Sequence, residues 1–160
     1  LVTITGGKWT SYRLMAEDTV DKAIEVCGLP KRKCVTKKFR IHGYRKNPDL
    51  TDHMYVYGSD EPKILRLIEQ EPALGEKLSQ KFGYTLAEVV WAVREEMAIT
   101  LEDVLARRVR MLFVDAREAM AAAPKAAAIM ARELGRDQAW IDEQVKSFTD
   151  LAKNYIFEQK

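Results

Sequence analysis

The sequence has few residues of the kinds that build disulfide frameworks, metal sites or membrane spans. Its two cysteines, Cys27 and Cys34, are too few for a disulfide scaffold. Neither they nor the two histidines, His42 and His53, have the spacing of a zinc site, so we expect reduced thiols and no metal. No apolar run approaches the roughly 18 residues that a spanning helix needs, and we therefore expect no integral membrane segment.

The chain as a whole also lacks a large excess of positive or negative charge. The 26 Lys and Arg are matched by 24 Asp and Glu, giving a formal charge of +2, which does not favour a dedicated nucleic-acid-binding protein. The distribution is nevertheless uneven, because residues 31–46 contain no acid. The basic residues of this segment are Lys31, Arg32, Lys33, Lys37, Lys38, Arg40, Arg45 and Lys46. The segment is either a solvated connector or a patch for anionic lipid headgroups or a phosphate-bearing partner.

The first 28 residues predict a strand, a turn and a helix. Leu1–Thr5 is rich in β-branched residues and ends at Gly6-Gly7, which permit a tight turn. A helical pattern runs from Trp9 to Cys27, with Gly28 as its stop. Since a lone strand leaves its backbone groups unpaired and no partner follows nearby, we expect the chain to be a fragment of a larger domain.

The next region, residues 29–59, predicts a basic linker with little helix. Val35, Phe39 and Ile41 fall on one parity, which favours a short strand with one apolar side. Glycine and asparagine–proline positions then indicate a loop as far as Ser59.

Residues 60–160 predict an all-α bundle of about six helices. Thr85 with Glu88, and Thr100 with Asp103, are spaced as caps at the starts of two amphipathic helices. The first of these is expected to reach Met97 and the second to extend past residue 112.

Further helix limits follow from proline, glycine and alanine positions. Pro72–Gly83 predicts a short helix, Pro124 marks a helix start, and Gly135 marks a stop. A last helix is expected over residues 137–158. The alanine-rich stretch Ala119–Ala128 would permit close helix packing.

The strongest candidate site is the string Thr5-Gly6-Gly7-Lys8-Trp9-Thr10. A turn that passes through two glycines into a helix presents backbone N–H groups at a helix N-terminus, where negative charge is favoured. Lys8 adds a positive charge and Thr10 a hydroxyl. The string is not a Walker A loop, which needs G-x-x-x-x-G-K-[ST]. The residues alone leave open a cofactor-binding corner and a plain turn with an exposed lysine.

Longer strings resemble a known family. Residues 3–17, TITGGKWTSYRLMAE, closely resemble the end of the flavin domain in FAD-dependent glycerol-3-phosphate dehydrogenases and the related α-glycerophosphate oxidases. Residues 84–91 and 95–108, YTLAEVVW and EEMAITLEDVLARR, resemble the helical C-terminal domain of that family, and 39–43 is a looser match to the strand before it. The family's G-x-G-x-x-G fingerprint is absent, so the resemblance implies that most of the FAD site lies outside this sequence.

The resemblance implies an oxidoreductase of glycerol metabolism, a flavoprotein that converts sn-glycerol 3-phosphate to dihydroxyacetone phosphate. The hydride would pass from substrate C2 to flavin N5, and the electrons then to quinone. Gly6 and Gly7 would bind FAD through backbone donors, and Thr10 would bind the flavin or its ribityl chain. Lys8 would be the catalytic residue that stabilises charge on the reduced flavin or assists the substrate phosphate, and Arg13 would be substrate-binding.

The implied organisation is a remnant of the FAD-binding domain in residues 1–28, the basic linker in 29–59, and the helical C-terminal domain in 60–160. This piece alone is expected to be inactive and without bound FAD. Its expected partners are the rest of the same polypeptide, a second copy in a homodimer, and the inner face of the plasma membrane as a peripheral contact of a cytoplasmic protein. The alternative is a stand-alone helical interaction module that docks through residues 31–46.

Overall fold

The chain separates into two units in a computed structural model that describes residues 1–157. We call Leu1–Tyr44 the N-terminal unit and the part that begins at Arg45 the helical unit. The boundary lies inside the predicted basic linker.

The N-terminal unit is built around one α-helix. Helix α1 spans Tyr12–Cys27 and follows a 3-10 turn at Trp9–Ser11. Gly28 ends α1 in the left-handed region, with φ 63°, and its N–H donates back to the carbonyl of Glu25. The predicted helix and its glycine stop are confirmed.

Neither predicted strand forms within residues 1–157. Leu1–Thr5 pairs with no neighbour in a ladder, and Val35 begins a turn in which the N–H of Lys38 donates to its carbonyl at 3.3 Å. The single β-bridge of the described residues joins Lys77 to Thr85. An extended segment becomes a strand only when another segment pairs with its N–H and C=O groups, and these two segments have no such partner here.

The helical unit confirms the all-α class. Its α-helices among the described residues are α2 (Glu61–Gln70), α3 (Leu86–Glu95), α4 (Met111–Val114), α5 (Ala116–Leu134) and α6 (Gln138–Lys153). A 3-10 segment at His53–Asp60 leads into α2, a second at Pro72–Gly75 lies between α2 and α3, and a π-helical turn at Asp103–Arg108 lies between α3 and α4. Helix α5 packs against α3, α4 and α6.

Small side chains line the buried face of α5. Its most buried alanines, each at most 2% exposed, are Ala119, Ala122, Ala123, Ala126 and Ala127. Because methyl groups occupy little space, the neighbouring helices approach α5 closely, as the alanine-rich stretch predicted. The core beside this face includes Ile64, Leu105, Met130 and Phe148.

Two predicted helix limits are wrong. Pro124 lies inside α5 instead of at its start, because Asp115 caps α5 by accepting the N–H of Glu118. Helix α3 stops at Glu95 and does not include Met97, whose φ of 54° is left-handed and whose side chain is 84% exposed.

The cap formed by Thr100 and Asp103 is confirmed, but the helix that follows differs from the prediction. A π-helical turn occupies Asp103–Arg108, and Arg110, with φ 58°, then interrupts the helix. A π turn adds a residue to each repeat, so a 3.6-residue apolar pattern does not continue through it to residue 113. Phe113 is 54% exposed.

Two further predicted helices, at residues 72–83 and 137–158, form over shorter ranges or are confirmed only at one end. Only Pro72–Gly75 of the predicted 72–83 helix is helical, although Leu78 beyond it is still buried. Helix α6 begins after its cap Asp137, as predicted, and ends at Lys153. The predicted end at residue 158 lies outside the described residues.

We predict that Val90→Asp unfolds the helical unit. Val90 is 0% exposed on α3, and an uncompensated buried charge costs roughly 3–5 kcal/mol. Thermal unfolding followed by circular dichroism should show either no cooperative transition or one at a much lower temperature. Val114→Asp, at a position 63% exposed, is the matched control and should melt like the wild type. Equal melting of the two variants would contradict the assigned core.

Candidate functional site

The diglycine–lysine corner, Thr5–Thr10, passes through two glycines into a 3-10 turn. Gly6 and Gly7 both have left-handed φ values, 80° and 95°, which favour glycine. The side chain of Ser11 fixes the turn: its Oγ accepts from the Lys8 N–H at 3.2 Å and donates to the Lys8 carbonyl at 3.0 Å. The turn therefore leads directly into α1 with its backbone held by local hydrogen bonds.

The two glycines differ in what surrounds them. A Cβ added at Gly6 would meet no heavy atom within 4 Å, whereas one at Gly7 would lie 2.1 Å from the Sδ of Met15. Gly6 thus leaves its backbone open to close approach by a ligand. The side chains of Lys8 and Thr10 are exposed next to it in the chain.

Arg13 lies in the first turn of α1 and has two side-chain hydrogen-bond partners. Its Nη1 is 2.6 Å from the Oε2 of Glu17 and 3.1 Å from the Oγ1 of Thr36. The hydrogen bond to Glu17 raises the pKa of Arg13. An anion that bound here would share the guanidinium with a carboxylate already in place.

The basic segment 31–46 is exposed except at the half-buried Cys34 and Gly43, and three of its large apolar residues are exposed. Val35, Phe39 and Ile41 are 70%, 67% and 72% exposed. They border an open groove of about 710 Å³ beside α1, whose helix side includes Val20 and Ile24. The N-terminal unit thus presents both positive charge and uncovered apolar surface.

Other chemistry is sparse in the described part of the chain. Among residues 1–157 no group of three or more His, Cys, Asp or Glu side chains converges as a metal site. Cys27 and Cys34 are free thiols, and the Sγ of Cys34 lies 3.1 Å from the Oγ1 of Thr36. No helix within 1–157 has both the length and the apolar character needed to cross a bilayer.

One polar cluster in the helical unit has no counterpart among the predicted sites. His53 and Glu88 lie 35 positions apart in sequence, yet the imidazole Nε2 is 3.1 Å from the Glu88 carboxylate. The same carboxylate accepts a hydrogen bond from the Tyr57 hydroxyl. The capping-box spacing of Thr85 and Glu88 was the only local signal, and it indicated a helix start and not a buried cluster.

Comparison with known proteins matches residues 4–141 to the family described as the C-terminal domain of alpha-glycerophosphate oxidase. The chain is 34% identical to a probable mitochondrial glycerol-3-phosphate dehydrogenase of Caenorhabditis elegans and 32% identical to one of Dictyostelium discoideum. It is 29% identical to the human mitochondrial glycerol-3-phosphate dehydrogenase. These alignments cover 98% of this chain but only 24%, 26% and 24% of the relatives, so the chain spans about a quarter of their length. No solved structure matches.

We predict that Ser11→Ala loosens the corner. The Lys8 N–H loses its acceptor, and loss of such a capping hydroxyl costs about 1 kcal/mol, so the Lys8 amide should exchange with solvent roughly fivefold faster. Hydrogen exchange followed by NMR measures this rate directly. Thr10→Ala, at an exposed neighbouring position, is the control and should leave it unchanged. An unaltered Lys8 amide in Ser11→Ala would show that Ser11 does not hold the turn.

Proposed function

Because this chain belongs to the family of C-terminal domains of alpha-glycerophosphate oxidase, we propose that it is the C-terminal part of an FAD-dependent enzyme that oxidises glycerol 3-phosphate. The observation that carries the proposal is the extent of the match, which begins at residue 4, includes the diglycine–lysine corner and continues through most of the helical unit. Since the chain spans about a quarter of its curated relatives, the proposed activity is that of a longer polypeptide.

Exposed apolar side chains on several sides of α1 support this organisation. No residue of α1 is buried, and Leu14, Val20 and Val26 are 52%, 57% and 60% exposed. A helix with uncovered apolar side chains is typical of one that packs against another element. In this proposal the remainder of the flavin domain covers α1, and residues 1–28, 29–59 and 60–160 are the remnant, linker and helical domain.

The residues of the corner suit the edge of a flavin ring. Gly6 offers open access to the backbone, Gly6 and Gly7 have no side chain to obstruct a ring, and Lys8 supplies a positive charge beside it. FAD, when bound, supplies the acceptor for the hydride from the substrate. Gly6, Gly7 and Thr10 would hold it by hydrogen bonds, and Lys8 would stabilise the negative charge that reduction places on it.

The substrate phosphate is the second proposed ligand of this region. Lys8 and Arg13 both provide cations suited to a phosphate. Arg13 would contribute only by sharing its guanidinium with Glu17, whose oxygen lies 2.6 Å away, so Lys8 is the principal residue in this proposal.

The electron acceptor and the surroundings of the enzyme are proposed from the family and the charge pattern. We propose quinone as the acceptor, and a peripheral contact of the basic segment 31–46 with anionic lipid, since its lysines and arginines are exposed beside apolar Phe39 and Ile41. The relatives named above are mitochondrial, whereas a cytoplasmic site on the inner plasma membrane remains a prediction for this chain. A homodimer also remains a prediction.

Steady-state assay of the complete reading frame with glycerol 3-phosphate tests the proposal. We expect turnover with a quinone analogue to exceed turnover with dissolved oxygen. Faster turnover with oxygen would support a flavoenzyme but would show that its electron acceptor is oxygen and not quinone. A reading frame that starts near Leu1 and yields no flavin-containing protein would favour the helical interaction module instead.

We predict that Lys8→Ala in the complete enzyme lowers turnover by roughly tenfold to a thousandfold, the effect of removing one preorganised electrostatic donor. Steady-state kinetics with glycerol 3-phosphate measures it. Lys22→Ala removes a lysine of the same unit that pairs with Glu25 on α1, and it should behave like the wild type. Near-normal turnover in Lys8→Ala would show that Lys8 is not part of the catalytic site.

A further inference from the structure

A buried carboxylate fastens the His53–Asp60 segment to the start of α3. Glu88 is 1% exposed. Its Oε1 accepts from the Tyr57 hydroxyl at 3.1 Å, and its Oε2 accepts from the Thr85 N–H at 2.7 Å and lies 3.1 Å from His53 Nε2. One carboxylate therefore joins the two segments through both of its oxygens.

The imidazole of His53 lies between two carboxylates. Its Nε2 faces Glu88 at 3.1 Å and its Nδ1 faces the Oδ1 of Asp52 at 3.4 Å. A neutral imidazole has one N–H and one lone pair, so it can donate to only one of these oxygens and places its lone pair against the other. The imidazolium carries a positive charge and an N–H on each nitrogen, which suits both the hydrogen-bond contact with Glu88 and the ion-pair contact with Asp52.

The remaining neighbours fix the ring in this position. The Tyr84 ring meets it edge-on with centroids 5.4 Å apart, and a Cβ added at Gly83 would lie 2.6 Å from His53 Nδ1. The charged and titratable groups that face the imidazole are Glu88, Asp52, Lys77, Tyr57 and Tyr84. The Glu88 hydrogen bond raises the pKa of His53, against the opposite effects of partial burial and Lys77.

We propose that the protonation of His53 controls how firmly the His53–Asp60 segment is held against α3. The imidazolium form stabilises this contact, and deprotonation weakens it. When the proton leaves, the buried Glu88 carboxylate loses the positive charge of the imidazolium that contacts it, which destabilises the arrangement. Burial raises the pKa of Tyr57, so its hydroxyl keeps its proton and remains a donor.

The sign of the pH dependence follows from this arrangement. The folded pKa of His53 is higher than its unfolded value of about 6.5, so folding takes up a proton. The stabilisation is complete below the unfolded pKa and is lost as pH rises through the folded pKa. All of these contacts lie within the helical unit, and the proposal does not depend on the flavin or the substrate.

The first test is an NMR titration of the imidazole signals in the 160-residue chain. The sequence has only two histidines, and His42→Gln assigns their signals. We expect His53 to titrate at a higher pH in the folded chain than in the chain unfolded in urea. A folded midpoint at or below the unfolded one would overturn the proposal.

Asp52→Asn removes the charge of the second carboxylate but keeps the hydrogen bond by which residue 52 caps the His53–Asp60 segment. Asparagine can still accept the Met54 N–H, which Asp52 accepts at 2.9 Å. We expect the His53 midpoint to fall by roughly half a pH unit, the effect of losing one partly solvated opposite charge. Asp49→Asn, three residues earlier, is the control and should leave the midpoint unchanged. An Asp52→Asn midpoint equal to that of the wild type would contradict the two-carboxylate arrangement.

The second test is urea unfolding as a function of pH. Each unit by which the folded midpoint exceeds the unfolded one raises the unfolding equilibrium constant by about tenfold between low and high pH. His53→Gln should remove this part of the pH dependence, and His42→Gln should retain it. Identical pH profiles for His53→Gln and the wild type would overturn the proposal. Where His53→Gln does not fold, the Asp52→Asn titration decides.

Discussion

The close approach of α5 to its neighbours is the packing constraint on which the helical unit depends. The alanines on its buried face leave room for neighbouring helices, and the core cluster that contains them also holds the larger side chains of Ile64, Met130 and Phe148. A larger side chain on this face would force the neighbouring helices apart, because close-packed interiors tolerate added volume poorly. Fixing α3 against α5 also fixes Glu88 at the start of α3, where it holds the His53–Asp60 segment.

The N-terminal unit is held together in a different way. None of its residues, Leu1–Tyr44, is buried, so it has no core of its own within this chain. The diglycine–lysine corner keeps its shape through the hydrogen bonds between Ser11 and Lys8. A unit that has a preformed turn, exposed apolar side chains and no core of its own fits a piece covered by another part of a longer polypeptide, and this supports the proposed flavoenzyme.

Local features were predictable from the sequence. The glycine stop at Gly28, the capping box of Thr85 with Glu88 and the start of the last helix near Asp137 depend on neighbouring residues only, and all are confirmed. The strand at Leu1–Thr5 was wrong because pairing needs a distant partner. Contacts between distant residues had no sequence signal, which is why the meeting of His53 with Glu88 could not be foreseen.

The sequence also proposed a candidate site at the diglycine–lysine corner, and the structure adds the surroundings of these residues. The positive φ values of Gly6 and Gly7 follow from residue type, because glycine alone adopts them without strain. The pairing of Arg13 with Glu17 and Thr36 required the structure, since Thr36 is far away in sequence. The roles of Gly6, Gly7, Lys8, Thr10 and Arg13 toward flavin and substrate remain proposals.

The midpoint reduction potential of the bound flavin in the complete polypeptide tests the central claim most directly. If Lys8 faces the flavin, its charge stabilises the reduced form, and Lys8→Ala should make the potential more negative by about 30 mV or more, equivalent to about 1.4 kcal/mol for a two-electron couple. A potential in Lys8→Ala equal to that of the wild type and of Lys22→Ala would show that the diglycine–lysine corner does not face the cofactor.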